Sequence, residues 1–289
     1  MNTAMMKIDP MEALTKPLPV WSPKAWYYGA ARSLMNSVGR LSDGIALGYR
    51  YGFDSGVMLE YVYQNQANGK LGIGKLIDRM YLNAPGWRGI RNRGRLLSNT
   101  LANTIEEKAA DLDRPLRIVD LACGGGRYVL EALKATETCD VQAILRDYRQ
   151  ENVDSAAALA QDLGLNVTTQ RADAFSDFDL EEIAAWQPDI VIVSGLHEIF
   201  EDDELIEVHF RQVSALLQTG GTLLQTIQPT HPQLEFIARV LPAHTGKLWA
   251  MRLRPWEVTR EWARKAGLQI RTKIMENENI FGVVRLEKE

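Results

Sequence analysis

IVDLACGGGRYVL, Ile118–Leu130, runs from a β-prone start through three consecutive glycines into an amphipathic segment. A glycine cluster between a strand and a helix lets a ligand come close to the backbone. Outward from this stretch the same alternation repeats. LRIVDLA reads as a short apolar strand and Arg127–Ala135 as a helix. VQAILRD is a second strand, followed by a helical pattern over Gln150–Leu163 that Gly164 is placed to end. NVTTQRAD is a third strand and Leu180–Trp186 a short helix. Pro188 then introduces DIVIVSG, a continuous apolar run suited to a strand covered on both faces.

The pattern continues with a helix over Asp203–Leu217, the Gly220-Gly221 turn and the strand TLLQTIQ. A helix pair follows (about 231–241 and 256–266), and then two runs, LQIRTKIM and IFGVVRLE, separated only by Glu276–Asn279. That connection is too short for a crossover helix, so the last two runs must pair antiparallel. The reading predicts an α/β, Rossmann-like, seven-stranded, mostly parallel sheet with an antiparallel last strand. Residues 1–110 instead read as helices, near 24–40, 55–66, 73–82 and 90–108. They are expected to form a helical N-terminal cap that shapes the substrate region, with residues 111–289 as the α/β domain.

The glycine loop departs from both phosphate-binding patterns. A dinucleotide fingerprint wants a small third residue where Val129 stands, and a Walker loop wants Gly-Lys-Ser/Thr where Arg127-Tyr128 follow. Three acids sharpen the reading, because Asp120, Asp147 and Asp173 close the first three strands. An acid after the second strand can accept both ribose hydroxyls, and one after the third can meet an adenine amino group. Asp120 beside the loop would repel a pyrophosphate. A single such Asp is more often a helix cap, but three at successive strand ends suit a ligand with ribose, adenine and positive charge.

VDLACGGGRYVL, Asp147, ADAF and DIVIVSGLHEIF resemble the successive motifs of class I S-adenosylmethionine-dependent methyltransferases. The similarity spans about residues 115–287. Upstream, LGYRYGFDSGVMLEYVYQNQANGKLGIGKLIDRMYLN resembles the lead-in of a bacterial methyltransferase group, some of whose members carry a lipase-like α/β-hydrolase domain. No G-x-S-x-G elbow occurs here, so Ser55 is not read as a nucleophile. The resemblance implies S-adenosyl-L-methionine as cofactor. Gly124 and Gly126, with Ala122, would border its methionine and ribose portions, and Asp120 would lie near the sulfonium or amino group. Asp147 would bind the ribose hydroxyls beside Tyr148. Asp173, Ala174 and Phe175 would surround the adenine, and Ser194 and Gly195 would floor the methyl.

Methyl transfer from a sulfonium asks the protein to align a nucleophile, exclude water and, for protic acceptors, remove a proton. His197 and Glu198 follow the fourth strand at the expected methyl end and are the candidate catalytic pair; His231 is a weaker candidate of the same kind. Asp/Asn-Pro-Pro-aromatic is absent after that strand, which argues against DNA and favours a small-molecule or lipid-derived acceptor methylated on oxygen or nitrogen. Lys70, Lys75, Arg79, Arg88, Arg91, Arg93 and Arg95 form a basic run against Asp78 alone. It could hold an anionic substrate, an anionic membrane or RNA, and Arg93 is the choice for the cofactor carboxylate. Lys24, Arg32 and Arg40 recur by eights opposite Trp26, Ala30, Leu34, Val38 and Leu41, a stripe expected to pack on the domain. An RNA methyltransferase, a nicotinamide-dependent oxidoreductase and a non-catalytic cofactor-binding module are the rival readings.

Composition agrees with a globular chain: 289 residues, 46% hydrophobic and 24% charged. Two isolated cysteines, Cys123 and Cys139, lack metal-ligand spacing. The first 21 residues are interrupted by Lys7, Asp9, Pro10 and Glu12 and show no signal-peptide core, and no run is long enough to span a bilayer. A cytoplasmic protein, or one peripheral to the inner membrane surface, is expected. The net charge of −4 divides unevenly, with residues 1–110 holding 14 Lys/Arg against 8 Asp/Glu. That half would face an anionic partner.

Overall fold

The structure, a computed structural model, describes residue 14 and residues 16–249 and 251–289. Most of the N-terminal stretch read above for a signal peptide lies outside the described residues. The chain divides into two compact units, Gly89–Thr230 with Leu253–Glu289, and Met1–Arg88 with His231–Arg252.

The larger unit is built on a seven-stranded sheet: β1 (Leu116–Asp120), β2 (Val141–Asp147), β3 (Thr168–Arg171), β4 (Ile190–Val193), β5 (Thr222–Ile227), β6 (Leu268–Met275) and β7 (Gly282–Lys288). Their spatial order is β3-β2-β1-β4-β5-β7-β6. The first five strands pair in parallel, and β7 runs antiparallel between β5 and β6. The order reverses between β1 and β4, which opens a crevice beyond the carboxyl ends of these strands. All four residues of β4 are buried, as its unbroken apolar run requires.

Eleven α-helices are described: α1 (Pro23–Asn36), α2 (Asp43–Tyr51), α3 (Gly56–Gln64), α4 (Ile73–Leu82), α5 (Pro85–Ala109), α6 (Arg127–Ala135), α7 (Gln150–Leu163), α8 (Asp177–Trp186), α9 (Asp203–Leu216), α10 (Leu234–Val240) and α11 (Trp256–Lys265). Leu97, Leu101 and Ile105, one turn apart on α5, are fully buried in a core with Ile118, Leu130, Leu145 and Ile192. The expected domain boundary near residue 110 falls after α5. By contacts the division instead follows Arg88, because this apolar face of α5 belongs to the sheet. Residues 231–252 group with the N-terminal helices. The other face of the sheet packs Val119, Val191 and Leu223 against Ile206, Phe210, Val213 and Trp262.

The smaller unit is organised by Asp78. Its fully buried carboxylate accepts from Ser42 Oγ and Gly44 N on one oxygen, and from Tyr61 Oη and Asn68 N on the other. A buried carboxylate with this many donors needs no counter-ion. The stripe on α1 does not pack as expected. Trp26 and Leu34 are 69% and 60% exposed, whereas the cations opposite are engaged. Lys24 pairs with Glu235, Arg32 donates to the Arg239 carbonyl, and Arg40 lies over the Tyr49 ring. Lys24 and Arg32 on the helix, Arg40 in the turn after it, and the buried Tyr28 ring under Arg239 hold this segment in place.

Candidate active site

The entry to the glycine loop is tied to both neighbouring strands: Leu121 N donates to Ile192 O in β4 and Cys123 N to Arg146 O in β2. Gly124 and Gly126 take φ of +56° and +69°, backbone that favours glycine. A Cβ on Gly126 would lie 3.1 Å from Leu145 and 3.2 Å from Ala156, so this glycine also serves helix packing. A Cβ on Gly124 or Gly125 meets nothing within 4 Å, so the crest of the loop is open.

Asp147 connects this loop to the end of β2. Its Oδ2 accepts from Gly124 N at 2.9 Å, and its Oδ1 accepts from Arg149 N at 2.9 Å and Asn152 Nδ2 at 3.0 Å. A carboxylate has about four acceptor sites; three are taken here, which leaves one on Oδ2 for a ligand hydroxyl, on a residue 8% exposed. Tyr148 beside it is 64% exposed, with the Arg171 guanidinium 5.9 Å from its ring centre. After β3, Asp173 Oδ1 accepts from Phe175 N, and its own N–H donates to Asp179.

Asp120 does not present an oxygen to a ligand. It is fully buried, with Oδ2 accepting from Tyr128 Oη at 2.6 Å and Oδ1 from Ala122 N at 3.1 Å. Burial pushes its pKa up to about 7, against the Tyr128 hydrogen bond. Asp120, expected near the sulfonium or amino group, has both oxygens turned to the protein. Asp120 braces the loop backbone at Ala122 and the first turn of α6 at Tyr128.

His197 likewise departs from the catalytic expectation. It is buried, and both ring nitrogens are engaged: Nε2 with His209 Nδ1 at 2.8 Å and Nδ1 with Gln225 Nε2 at 2.9 Å. His209 Nε2 lies 2.9 Å from the Ala174 carbonyl, which can only accept. The proton order follows from that end: His209 Nε2 donates to Ala174, His197 Nε2 donates to His209, and Gln225 donates to His197. Burial depresses the pKa of both histidines, to about 4 for His209 and well below the ordinary range for His197. A neutral imidazole with no free nitrogen is not a base. The relay instead holds the Ala174 carbonyl, and the Phe175 ring lies tilted 4.5 Å from His209 and edge-on 4.7 Å from Phe200. Sequence reading missed His209 and Gln225, which stand 12 and 28 residues from His197 on other elements.

Glu198 has the opposite character. Its Oε1 accepts from Thr226 Oγ1 at 3.1 Å, while the buried Oε2 has no hydrogen-bond partner among the described residues. Burial raises its pKa, and the charges of Arg93 and Arg254 oppose that rise. Ser194, just beyond β4, is buried, and Gly195, at φ +69°, donates its N–H to Thr226 Oγ1 at 2.8 Å. A Cβ on Gly195 would lie 3.3 Å from the Arg93 guanidinium. Arg93 is buried on α5 over the Phe281 ring. The structure thus brings Gly195, Glu198 and Arg93 together beyond β4. His231 belongs to the smaller unit, where its Nδ1 accepts from Gln233 N at the start of α10.

The strand order and the loop and acid positions define the fold of class I S-adenosylmethionine-dependent methyltransferases. The family model described as "Putative methyltransferase" matches residues 2–288, and the chain belongs to this family. The uncharacterized protein YnbC of Escherichia coli K12 is 39% identical over 273 residues, which are 92% of this chain and 46% of that protein. The chain therefore spans just under half the length of this curated relative. Among solved structures, a candidate exported protein from Bordetella parapertussis is similar with a TM-score of 0.60 at 19% identity, covering 93% of this chain and 99% of its own. Magnesium protoporphyrin IX methyltransferase (ChlM) from Synechocystis PCC 6803, solved with bound SAH, gives a TM-score of 0.54 at 14% identity over 91% and 99%. Identities this low establish the fold alone.

Proposed function

We propose that the protein transfers a methyl group from S-adenosylmethionine to an oxygen or nitrogen of a small-molecule or lipid-derived acceptor. The observation that carries this reading is the Asp147 carboxylate, fixed by the Gly124 N–H below an open glycine crest. A carboxylate with a remaining acceptor site on Oδ2, beside an open loop that lacks a phosphate-binding pattern, fits a nucleoside with ribose hydroxyls and positive charge. When bound, this cofactor supplies an electrophilic methyl carbon on a sulfonium. Asp147 holds the ribose hydroxyls, and Asp173 and Phe175 receive the adenine. Gly195, without a side chain, leaves room beyond β4 for the Arg93 guanidinium.

Glu198 is the group in this region able to take a proton from a hydroxyl or amine acceptor. Its unpartnered Oε2 is the receiving atom, and its raised pKa makes it a stronger base than an exposed carboxylate. Arg93 opposes that rise and offers a charged donor to an acidic group of either ligand. Acceptor choice is assigned to residues 1–110 in the same proposal. The RNA reading drew on the basic 70–95 region, of which Arg91 and Arg93 are buried.

Calorimetry with S-adenosylhomocysteine and with NAD(P)H tests the cofactor, and the expected result is binding of the first only. Incubation of cell extracts and lipid fractions with methyl-labelled S-adenosylmethionine tests the reaction. Preferential NAD(P)H binding would overturn the reading, as would labelling that persists in Asp147→Ala. Binding of S-adenosylhomocysteine without turnover on any fraction would favour a non-catalytic module.

A further inference from the structure

We propose that the exposed face of α4, with the turn before it, docks this protein on an anionic lipid surface. Ile73, Leu76 and Met80 stand at i, i+3 and i+7 and are 53%, 57% and 69% exposed. They form one unpartnered apolar stripe along the helix. Leu71, in the preceding turn, is 87% exposed at φ +58°, left-handed backbone that is costly for leucine. The turn is held by close neighbours: Lys70 N donates to Leu41 O, and Gly69 and Gly74 are pressed against the same backbone. The local fold thus projects a large apolar side chain outward in a strained conformation.

Charge selects the occupant. Lys70, Lys75 and Arg79 are exposed around the stripe, and none forms an ion pair with a carboxylate among the described residues. The helix has one acid, Asp78, which is fully buried and saturated by its four donors. The outer face is therefore apolar and cationic with no compensating negative charge. Aliphatic side chains that insert beneath long cationic ones match an anionic bilayer interface. Single-stranded nucleic acid would call for aromatic stacking platforms, and this stripe has none. The cations of the exposed α1 stripe are already engaged within the unit, Lys24 by Glu235, Arg32 by the Arg239 carbonyl and Arg40 by the Tyr49 ring. No helix among the described residues is long and apolar enough to cross a membrane, so the contact is with the surface. This inference is independent of methyl transfer.

The test is co-sedimentation of the 289-residue protein with vesicles of phosphatidylcholine alone, or mixed equally with phosphatidylglycerol. Binding to the mixed vesicles should exceed binding to the neutral ones by at least about tenfold and weaken with salt. Lys70→Gln/Lys75→Gln/Arg79→Gln should lose most of that difference. Leu71→Gln/Ile73→Gln/Leu76→Gln/Met80→Gln should lose binding at low salt as well. All seven positions are exposed, and far-ultraviolet circular dichroism with the S-adenosylhomocysteine affinity checks that each variant is folded. Absence of binding to the mixed vesicles, equal binding to both kinds, or binding unchanged by the apolar variant would overturn the proposal. So would a wild-type dimer that becomes monomeric in the apolar variant, since the face would then belong to a second copy. Retention on RNA that depends on the cations and not on the apolar set would overturn it too.

Discussion

His197 Nε2 and His209 Nδ1 lie 2.8 Å apart in the sheet unit, and the Ala174 carbonyl at the far end fixes which nitrogen donates. The order holds only while both rings are neutral. Burial depresses the pKa of His197 and His209, and separately that of His231, where it falls to about 4. A histidine depressed in the folded state takes up its proton more readily when unfolded. Its stabilising contribution is complete above about pH 6.5 and is lost as pH falls toward 4. Each group adds up to about 1.4 kcal/mol per pH unit in that window. Asp120 and Glu198, both raised by burial, act in the opposite sense. Comparing variants therefore isolates the histidines: urea titrations from pH 7 to pH 5 should show a shallower decline for His231→Gln than for the parent.

Breaking the relay should also reach the ligand. His209→Ala leaves the Ala174 carbonyl and the His197 N–H without their partners, at a cost of about 1–3 kcal/mol of stability. Because Ala174 lies between Asp173 and Phe175, affinity for S-adenosylhomocysteine should fall by roughly tenfold, read by calorimetry at a temperature where the variant is fully folded. An unchanged affinity would show that the relay supports the fold and not the adenine end.

Much of the sheet unit was legible because its periodicity is strong. β2 and α6 occupy the residues the pattern assigned, Val141–Asp147 and Arg127–Ala135. Helix α2, Asp43–Tyr51, was not legible, since Gly44 and Gly48 read as breakers. In the fold they are contact points: a Cβ would lie 2.7 Å from Tyr61 at Gly44 and 2.4 Å from Phe53 at Gly48. Asp78 read as the lone exception in a basic run, yet it is the buried hub of its unit. The His197 relay left no local signal, because its members are brought together only by the packing of β5 and α9 beside the β3 and β4 ends. Pattern reveals strand ends; which polar group faces inward depends on tertiary packing.

Gly125 separates the loop's packing role from its binding role. It has ordinary backbone and open space above it, so Gly125→Ala should change stability by less than about 0.5 kcal/mol. A ligand lying on the crest would meet the new methyl, and affinity for S-adenosylhomocysteine should drop at least about tenfold. Gly126→Ala should instead destabilise by about 1–3 kcal/mol, through its positive φ and its crowding against Leu145 and Ala156. Chemical denaturation and calorimetry on the two variants give the comparison. Equal ligand affinity in Gly125→Ala and the parent would remove the crest from the site.

Asp147 should be the most sensitive cofactor position. Asp147→Ala removes the acceptor of Gly124 N, Arg149 N and Asn152 together with the proposed ribose contact. Loss of a charge-assisted hydrogen bond together with the anchors of the loop corresponds to about 100-fold or more in affinity. Asp147→Asn keeps the volume and one acceptor oxygen, so calorimetry should rank it between Ala and the parent.

Glu198 and Arg93 make opposed predictions on the pH axis. As general base, Glu198 acts in its ionised form, so turnover should rise with pH through a pKa displaced above the ordinary carboxylate range by burial. Glu198→Gln keeps the shape and the contact with Thr226, and should lower kcat about 100-fold or more with little change in KM for the cofactor. Arg93 holds that pKa down, so Arg93→Met should move the rising limb to higher pH in addition to any loss in KM. Both profiles can be recorded by labelled methyl transfer on the first active extract fraction. A limb that stays in place in Arg93→Met while Glu198→Gln remains active would assign the proton to another acceptor, solvent included.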